Sequence, residues 1–501
     1  MRRRTVLRGA VGTLALPGLA GTTVANEHDD PFEPLASVDI RGAKDATVHH
    51  DGTVAYVAAG DGFVSVDISE PSRPQVLAER RDIQAGDGPL RGAWDVWPWD
   101  DRLVVAGPAT HGSTDTRGFA LFDISEPADP QQVAFHATGF HIHNVYFTDG
   151  TVYLTGTGLD PEPLVMVDVS DDTPQEVGRW ALTEHNPAWG DVSRFFRTLH
   201  DVYVQDGIAY LLYWDAGTWL VDVSDPDAVA VLSVAGGYTP EELAALEGTR
   251  RQVESLIPPG NHHYGQVDDD GELLVVGVEA WAFDLDEGTV GSPGGVHLYD
   301  VTEKAAPEHL ATIDAPASFD QTRRGWFTTP HNADVVDNRL YTSWYFGGVK
   351  VHDVSDPANP VELAWWRNPR EASFWTARSS VPGETFVAAS TGDIGAELGV
   401  DSDLHGTRSA LYTFPDRTGE QANPPDMTTP PEQPPADGRG TDDDGQSDDG
   451  ETGDRNSTSD TSAETNVTAA DDDGAGFGLG PGLLGLGGVG YLLARRLDGE
   501  E

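Results

Sequence analysis

The chain contains the stretch VSVDISEP at residues 64–71, in which a short alternating strand runs into an Asp, a turn and a Pro. Five similar stretches follow, namely LFDISEP at 121–127, MVDVS at 166–170, LVDVSDP at 220–226, LYDVT at 298–302 and VHDVSDP at 351–357. Their Asp residues are separated by 56, 45, 54, 78 and 53 positions. Asp and Ser bond nearby backbone groups, and Pro ends a strand because it cannot donate to the ladder. A recurring unit of this length with several short strands predicts an all-β propeller with one blade per copy.

Each copy opens with a strand hairpin, so the number of hairpins gives the number of blades. Turn dipeptides such as Asp149-Gly150 are typical of tight hairpins. Seven hairpins begin near Asp45, Asp95, His143, His200, His263, His331 and Trp375. The seventh copy stops near Phe414 without a fourth strand, whereas an unpaired strand, PLASVDI, stands at residues 34–40. We therefore predict a seven-bladed β-propeller over residues 34–415, in which the N-terminal strand completes the last blade.

The blade motif resembles the LVIVD-repeat family, which is named for its Leu-Val-x-Val-Asp-like strand, over nearly all of residues 34–414. The resemblance implies a secreted or surface-anchored propeller, more distantly similar to selenium-binding-protein-like and other enzymatic propellers. It is specific for the fold and says little about chemistry, because propellers host many functions.

The composition is strongly acidic. The 501 residues include 83 Asp and Glu against 31 Lys and Arg, which gives a formal net charge of −52. Such a field repels phosphate and excludes a surface that binds nucleic acid or an anionic membrane. The lack of Cys excludes a disulfide scaffold, a thiolate metal site and a cysteine nucleophile. Only three of the cations are lysines, and a lysine-poor, carboxylate-rich surface is typical of extreme halophiles, in whose molar salt the Debye length is about 3 Å.

The first 25 residues predict export. Three arginines at residues 2–4 precede an apolar run at residues 9–20 and small residues through Ala25. This is the layout of a cleavable signal peptide (residues 1–25), whose apolar part is too short to span a membrane stably. The core RRTVLR at residues 3–8 resembles a twin-arginine signal, which implies export of an already folded chain.

The C-terminal region predicts a stalk. Residues 416–474 are rich in Pro, Asp, Ser, Thr and Gly and have almost no aliphatic side chains. They cannot bury enough apolar surface to fold, so we expect a disordered, acidic stalk. It carries two N-glycosylation sequences, at Asn456 and Asn466, which are expected to be exposed outside the cell.

An anchor follows the stalk. Residues 475–496 consist of about 20 apolar and glycine residues followed by two arginines, which predicts a transmembrane helix with a cytoplasmic end. The arrangement resembles the PGF-CTERM sorting tail of haloarchaeal surface proteins, although Ala475 stands where that tail has Pro. The resemblance implies attachment of the chain to the cell envelope, at the outer face of the membrane, with cleavage of the tail and its replacement by lipid left open.

Three insertions interrupt the repeat between the third and fifth copies. One begins at Thr239, the predicted N-cap of a helix that reaches to about Leu256, and the others cover residues 279–293 and 184–197. They form either a wall or lid beside the channel mouth or ornamental loops. Exposed aromatic side chains of the propeller would anchor a partner. These residues are Trp189, Trp281 and Trp326.

A histidine that recurs at the start of the opening strand is the one chemical signal. It occupies this position in four consecutive copies, at His143, His200, His263 and His331. The alignment assigns Asp45 and Asp95 to the same position in the first two copies, with His141 and His262 nearby. Because the innermost strands border the central channel, these side chains are expected to meet at one of its ends. Four neutral imidazoles suit a divalent transition metal such as Fe, Cu, Zn or Mn.

The histidines also have a purely structural interpretation, in which they recur because the repeat duplicated and their rings bond a neighbouring blade. No Ser-His-Asp, HExxH or phosphate-loop spacing supports a hydrolase or a nucleotide enzyme. Our hypothesis is a cell-surface anchored binding module that presents one ring face to an unknown protein or glycan. The alternative is an extracellular metal-dependent oxidoreductase or oxygenase with the histidine cluster at the channel mouth.

Overall fold

The computed structural model describes residues 30–86, 88–110, 116–285, 288–323, 325–392, 394 and 407–430, which form seven antiparallel blades around a central axis. Each blade has at least four strands, and the first strands of neighbouring blades contact one another around the ring. This confirms the prediction of an all-β, seven-bladed propeller.

In each blade the first strand lies at the axis and the following strands lie successively further out. The N-terminal strand β1 (Ala36–Asp39) belongs to the last blade. The first blade consists of β2 (Ala46–Val48), β3 (Val54–Ala58), β4 (Gly62–Asp67) and β5 (Gln75–Arg81). A small hairpin of β6 (Gln84–Ala85) and β7 (Gly88–Pro89) leads to the second blade. The second blade consists of β8 (Asp95–Trp99), β9 (Arg102–Gly107), β10 (Gly118–Asp123) and β11 (Gln131–Ala137).

The third and fourth blades are joined by a short helical insertion. The third blade consists of β12 (Val145–Thr148), β13 (Thr151–Thr155), β14 (Leu164–Asp168) and β15 (Gln175–Trp180). The insertion contains α1 (Leu182–His185) and the 3₁₀ helices Pro187–Asp191 and Arg194–Phe196. The fourth blade consists of β16 (Asp201–Gln205), β17 (Ile208–Tyr213), β18 (Gly217–Asp222) and β19 (Ala230–Ala235).

The fifth blade is bordered by the helical insertion that Thr239 opens. This insertion contains α2 (Pro240–Ala244), α3 (Gly248–Val253) and the 3₁₀ helix Glu254–Leu256. The predicted capping is present, because the Thr239 hydroxyl accepts from Glu242 N while the Glu242 carboxylate accepts from Thr239 N. The predicted helix is not continuous, however, because α2 ends at Ala244 and α3 begins at Gly248, whose φ of +59° departs from helical backbone.

The remaining strands complete the ring. The fifth blade consists of β20 (His262–Val267), β21 (Leu273–Val278), β24 (Val296–Asp300) and β25 (Glu308–Ile313), with β22 (Ala282–Leu285) and β23 (Gly288–Gly291) as an inserted hairpin. The sixth blade consists of β26 (Ala333–Val336), β27 (Arg339–Ser343), β28 (Val349–Asp353), β29 (Val361–Trp366) and the added strand β33 (Gly419–Glu420). The seventh blade consists of β30 (Phe374–Val381), β31 (Thr385–Ser390), β32 (Ala410–Pro415) and β1.

The ring is closed by pairing between the two ends of the propeller sequence. β1 runs antiparallel to β32, with Val38 opposite Leu411. Ile40 continues this contact, since its backbone N donates to Ser409 O at 2.9 Å and its side chain is buried between the seventh and first blades. The predicted closure by the N-terminal strand is therefore confirmed.

The repeated Asp stabilises the turn after the third strand in each of the first six blades. Asp67 Oδ1 accepts hydrogen bonds from Ser69 N at 2.9 Å and Ser69 Oγ at 2.6 Å, and Asp222 binds Ser224 in the same way. The pairing of the third and fourth strands also shifts register at one place in each of the first six blades, which is a β-bulge that increases the strand twist. The sequence repeat is thus a repeat of local hydrogen bonding.

The core of the molecule lies between the blades. Within the described residues, seven apolar clusters fill the spaces between successive blades around the ring, and an eighth lies at one end of the channel. Each blade therefore depends on both neighbours for burial of its faces, as expected for a repeat architecture.

The packed chain extends beyond the predicted end of the propeller at residue 415. The Asp416 carboxylate accepts from the Tyr341 hydroxyl at 2.7 Å, and Met427 is buried in the cluster at the channel end. The start of the predicted stalk is consequently held on the propeller. The rest of the stalk, with Asn456 and Asn466, the signal peptide 1–25 and the anchor 475–496 lie outside the described residues. In the portion that the structure describes, no helix is long and apolar enough to cross a membrane.

The closure predicts unequal effects for two neighbouring substitutions. Ile40→Ala removes a buried side chain at the join and should lower the free energy of unfolding by about 2–5 kcal/mol, as large-to-small core changes do. Leu35→Ala, at a side chain that is 42% exposed beside the same strand, should cost about 1 kcal/mol or less. Denaturant unfolding in high salt measures both. Equal losses would contradict the importance of the join.

Candidate functional site

Seven side chains, one from the start of each blade, form a closed circle around the channel at one end. We call this circle the axial belt, and it consists of Lys44, Trp94, His143, His200, His263, His331 and Trp375. The distances between the centres of successive histidine rings are 4.4, 3.7 and 4.6 Å. The ring of Trp375 lies 4.0 Å from His331, and Lys44 Nζ lies over both tryptophan rings at 5.0 and 5.2 Å. The structure thus brings together the four histidines that the sequence placed at one position.

Two predicted members of this circle lie elsewhere. The belt positions of the first two blades are occupied by Lys44 and Trp94, and Asp45 and Asp95 follow one residue later. The reason is the length of the hairpin turns. In the first blade, Gly52 N bonds His49 O in a longer loop. In the second blade the turn residue with positive φ is Asp100, which aligns Trp94 with the belt histidines. Asp45 and Asp95 line a separate space in the channel.

The other two predicted auxiliaries lie beside the belt. His262 Nδ1 is 2.8 Å from Thr218 Oγ1, so its ring packs between the fourth and fifth blades. His141 is buried in the third blade, where its backbone O accepts from Thr157 N at 3.0 Å. The contact of the His262 ring is that of a structural residue.

Three belt histidines have their tautomer fixed by the backbone. Nδ1 of His143, His200 and His331 lies 2.8–2.9 Å from the carbonyl oxygens of Ala109, His263 and Trp375 respectively. A carbonyl oxygen only accepts, so Nδ1 carries the proton in each ring and the neutral imidazole has its lone pair at Nε2. Burial lowers the pKa of His143 to about 4 and that of His331 to about 3, which keeps both rings neutral at pH 7. A backbone carbonyl on Nδ1 is also the usual arrangement behind a metal-bound Nε2.

His263 and His331 meet through these lone-pair positions. Their Nε2 atoms are 3.1 Å apart, and His263 Nδ1 is 3.2 Å from Glu279 Oε2. If His263 carries its proton on Nδ1, two lone pairs face each other between the rings. If the proton is on Nε2, the Nδ1 lone pair faces the carboxylate. The contacts are satisfied only by an additional proton on Glu279 or His263, or by a cation.

Glu279 is a site residue that sequence reasoning missed. It follows β21, and its Oε1 accepts from the Tyr345 hydroxyl at 2.6 Å. Burial raises its pKa to about 7, and Tyr345 and Arg323 oppose the rise. Among the described residues, ligand atoms of His263, Glu279 and His331 lie within 4.8 Å of one another. Glu279 is the first residue of a predicted insertion and has no equivalent in the other copies of the repeat. Its position beside an aromatic-rich insertion was therefore the one signal in the sequence that could have identified it.

The belt is covered from outside by an aromatic cap. We use this name for the apolar cluster of Leu256, Trp281, Trp326, Phe327, Tyr345, Phe346, Ile394 and Met427. Leu256 and Trp281 come from two of the predicted insertions, so these form a lid and not ornamental loops. The Arg323 guanidinium stacks over Trp281 at 4.3 Å. As a result the four belt histidines are only 3–8% exposed.

The expected aromatic anchors are not exposed. Trp281 and Trp326 lie within the cap, and Trp189 packs 6.2 Å from the Trp219 ring between the third and fourth blades. Each is at most 3% exposed. The prediction that these three side chains present a partner-binding surface is therefore wrong, because Trp189 packs in the cluster between two blades and Trp281 and Trp326 pack in the cap.

Comparison with known proteins gives a family match for one blade. Residues 44–80 match the family model described as LVIVD repeat, which covers most of the first blade, and no curated protein matches the chain. The β-propeller domain of Cps50 (Swd1) from Myceliophteria thermophila is 8% identical, with a TM-score of 0.46 over 71% of this chain and 96% of that chain. A functionally unknown protein from Desulfotomaculum acetoxidans is 11% identical, with a TM-score of 0.42 over 63% and 83%. The computationally designed Ika8 protein is 11% identical, with a TM-score of 0.42 over 71% and 84%.

A buried acid beneath the helical insertion predicts a pH-dependent stability. Asp215 lies between β17 and β18, is fully buried, and within the described residues neither of its carboxylate oxygens has a hydrogen-bond partner. Burial, followed by the charge of Glu254, raises its pKa. The folded chain therefore holds a proton that the unfolded chain releases, so the stability falls as pH rises above about 4, the usual pKa of Asp.

Asp215→Asn removes this titration and should raise the free energy of unfolding at pH 8 by about 1–3 kcal/mol, with a smaller gain at pH 5. Thermal unfolding at the two pH values measures the difference. Asp206→Asn, at an exposed turn, is the control and should show no such pH dependence. A loss of stability at pH 8 in Asp215→Asn would refute the assignment.

Proposed function

We propose that the protein is a binding module of the cell surface whose propeller holds one divalent transition metal ion at His263, Glu279 and His331. The observation that carries the proposal is the contact of 3.1 Å between the Nε2 atoms of His263 and His331. His331 cannot donate there, because its proton is on Nδ1 against the Trp375 carbonyl. A metal ion between the rings would accept both lone pairs.

The distances support a metal of this class. In a tetrahedral zinc site with Zn–N bonds of about 2.0–2.1 Å, two ligand nitrogens are about 3.3 Å apart, close to the spacing here. Two imidazoles and one carboxylate suit Fe, Cu, Zn or Mn, whereas Ca²⁺ and Mg²⁺ prefer oxygen. Tyr345 holds the far oxygen of Glu279, as partners of metal ligands commonly do. His200 packs against His263 and His143 packs against His200, so these two rings would block access to the ion from that side of the belt.

The aromatic cap favours a binding role over the alternative of a metal-dependent oxidoreductase. A substrate would reach the ion only after displacement of the cap, whose tryptophans are buried. An ion in this position would contact two neighbouring blades and the β21–β22 connection at once, and would stabilise the face of the ring that the cap covers.

The metal should be measurable directly. Elemental analysis of residues 26–430, purified in high salt without a His tag, is expected to give about one transition metal ion per chain. His331→Ala should lower the content to background, and Glu279→Gln should weaken binding about 10–100-fold. His50→Ala, at an exposed histidine, is the matched control and should retain the metal.

The absence of a bound metal would have an equally definite meaning. Metal-free protein whose melting temperature does not change with added Fe, Cu, Mn or Zn would overturn the proposal. The chain from Tyr345 through Glu279 and His263 to His331 would then be a hydrogen-bonded network that holds an extra proton. Folding of each variant is checked by circular dichroism, so that loss of metal is not confused with loss of structure.

The surface location is part of the same proposal and rests on the sequence alone. The twin-arginine-like start and the apolar segment at residues 475–496 support export and attachment to the outer face of the membrane. The full chain should sediment with membranes, whereas a chain that ends at residue 474 should appear in the medium. Cell fractionation with an antibody against the propeller tests this. Recovery of both chains in the cytoplasm would contradict export.

A further inference from the structure

A second group of buried acids lies further along the channel from the belt. Asp45, Asp95 and Asp201 come from the inner strands of three blades and line one small space in the channel. Asn144, Asn332 and Arg378 line it as well, and the space has room for about one water-sized occupant. All three carboxylates are at least nine-tenths buried. No histidine is among the residues that line this space, so its chemistry differs from that of the belt.

The charges around this space do not balance. Three carboxylates face one guanidinium, and Arg378 Nη2 is 3.9 Å from Asp45 Oδ2 while its Nη1 donates to the Tyr264 hydroxyl at 2.7 Å. The lining therefore has a formal charge of −2 when all groups are ionised. Buried charges in proteins are paired or coordinate a cation, because desolvation makes an isolated one very costly.

The hydrogen bonds leave one carboxylate oxygen over. Asp45 Oδ1 accepts from Asn332 Nδ2 at 3.1 Å, and Asp95 Oδ2 accepts from Val145 N at 2.8 Å. Asp95 Oδ1 is buried and has no hydrogen-bond donor within the described part of the chain when the acids are ionised, while the Asp95 side chain lies within hydrogen-bond reach of the Asp45 carboxyl. This oxygen is an acceptor of the kind that a cation takes up.

We propose that this space binds one hard cation, coordinated by Asp95 with Asp45 and Asp201. Ca²⁺ fits the charge of −2 best, and it uses carboxylate and amide oxygens at about 2.3–2.6 Å. Asn144 and Asn332 line the same space, so their amide oxygens would be the neutral ligands available to such an ion. Among the described residues, the ligand atoms of the three carboxylates do not all lie within 4.8 Å of one another, as those of His263, Glu279 and His331 do, so a bound cation would have to draw them together.

A shared proton is the competing explanation. Burial and the neighbouring Asp45 raise the pKa of Asp95, and burial raises the pKa of Asp201 to about 7. Protonation of these acids would also balance the charge. The two explanations differ in one respect. A cation site predicts that an added cation binds and raises the melting temperature only while the Asp95 carboxylate is present, whereas a shared proton predicts no such dependence.

Tb³⁺, which replaces Ca²⁺ and emits when a nearby aromatic ring is excited, is the direct probe. Trp97 lines the space, so bound Tb³⁺ should be sensitised there. After removal of divalent ions with EGTA, the native chain should show emission that saturates near one Tb³⁺ per chain and is displaced by Ca²⁺. Asp95→Asn, which keeps the shape of the side chain, should lower the affinity at least tenfold. Asp149→Asn, at an exposed turn, makes the same charge change and should have no effect.

A second measurement separates divalent from monovalent occupants. The melting temperature is followed with Ca²⁺ at constant ionic strength, and with NaCl replaced by choline chloride. A rise with Ca²⁺ or with Na⁺ that Asp95→Asn abolishes supports the hard-cation site and identifies its occupant. If the Tb³⁺ emission and the cation-dependent rise in melting temperature are the same in the native chain and in Asp95→Asn, the hard-cation site is overturned in favour of the shared proton. If Asp95→Asn fails to fold, Asp201→Asn takes its place. Transition-metal content should be unchanged in both variants, so this test is independent of the belt.

Discussion

The pairing of β1 with β32 is the contact on which the rest of the molecule depends. The two strands are separated by about 370 residues of chain, and their ladder turns a row of blades into a ring. Without it, the first and seventh blades would each expose one face and an unpaired strand edge. Closure also fixes the radius of the channel, because each inner strand must contact both neighbours. The position of every axial side chain follows from that radius.

The convergence of the inner strands on the axis then creates the two groups of possible ligands. A ring places one residue from every blade at each level of the channel, so polar residues that are far apart in sequence are forced into contact and away from water. At one level this assembles the four histidines between Trp94 and Trp375, and at the next it brings Asp45 and Asp95 together. Desolvation keeps the imidazoles neutral and disfavours the ionised carboxylates. The two levels therefore present nitrogen and oxygen ligands, respectively.

The sequence predicted those features that repeat and missed those that occur once. The Asp-x-Ser turns and the count of hairpins were sufficient for the blade number and the closure, because each is a local hydrogen-bond pattern. Register along the axis was correct where the hairpins are standard and wrong by one residue at Asp45 and Asp95, where the turns differ. Glu279 was missed because a single insertion supplies it. The burial of Trp281 could not be predicted either, because an aromatic-rich insertion has the same sequence pattern whether it projects into solvent or packs onto the ring.

A ligand on the axis has a different effect from one bound to a single blade. Each blade buries its faces only against its two neighbours, so a contact at the rim stabilises a local interface. His263 and His331 belong to successive blades, whereas Asp45, Asp95 and Asp201 belong to the first, second and fourth. An ion held by the three aspartates would couple the fourth blade to the first and second blades, which the apolar clusters join only through intermediate blades. An ion held by His263 and His331 would instead strengthen an interface that an apolar cluster already fills. In a chain with a net charge of −52, cations on the axis would also offset repulsion among buried carboxylates that salt screens poorly. A cation bound on the axis would thus raise the free energy of unfolding of the whole ring.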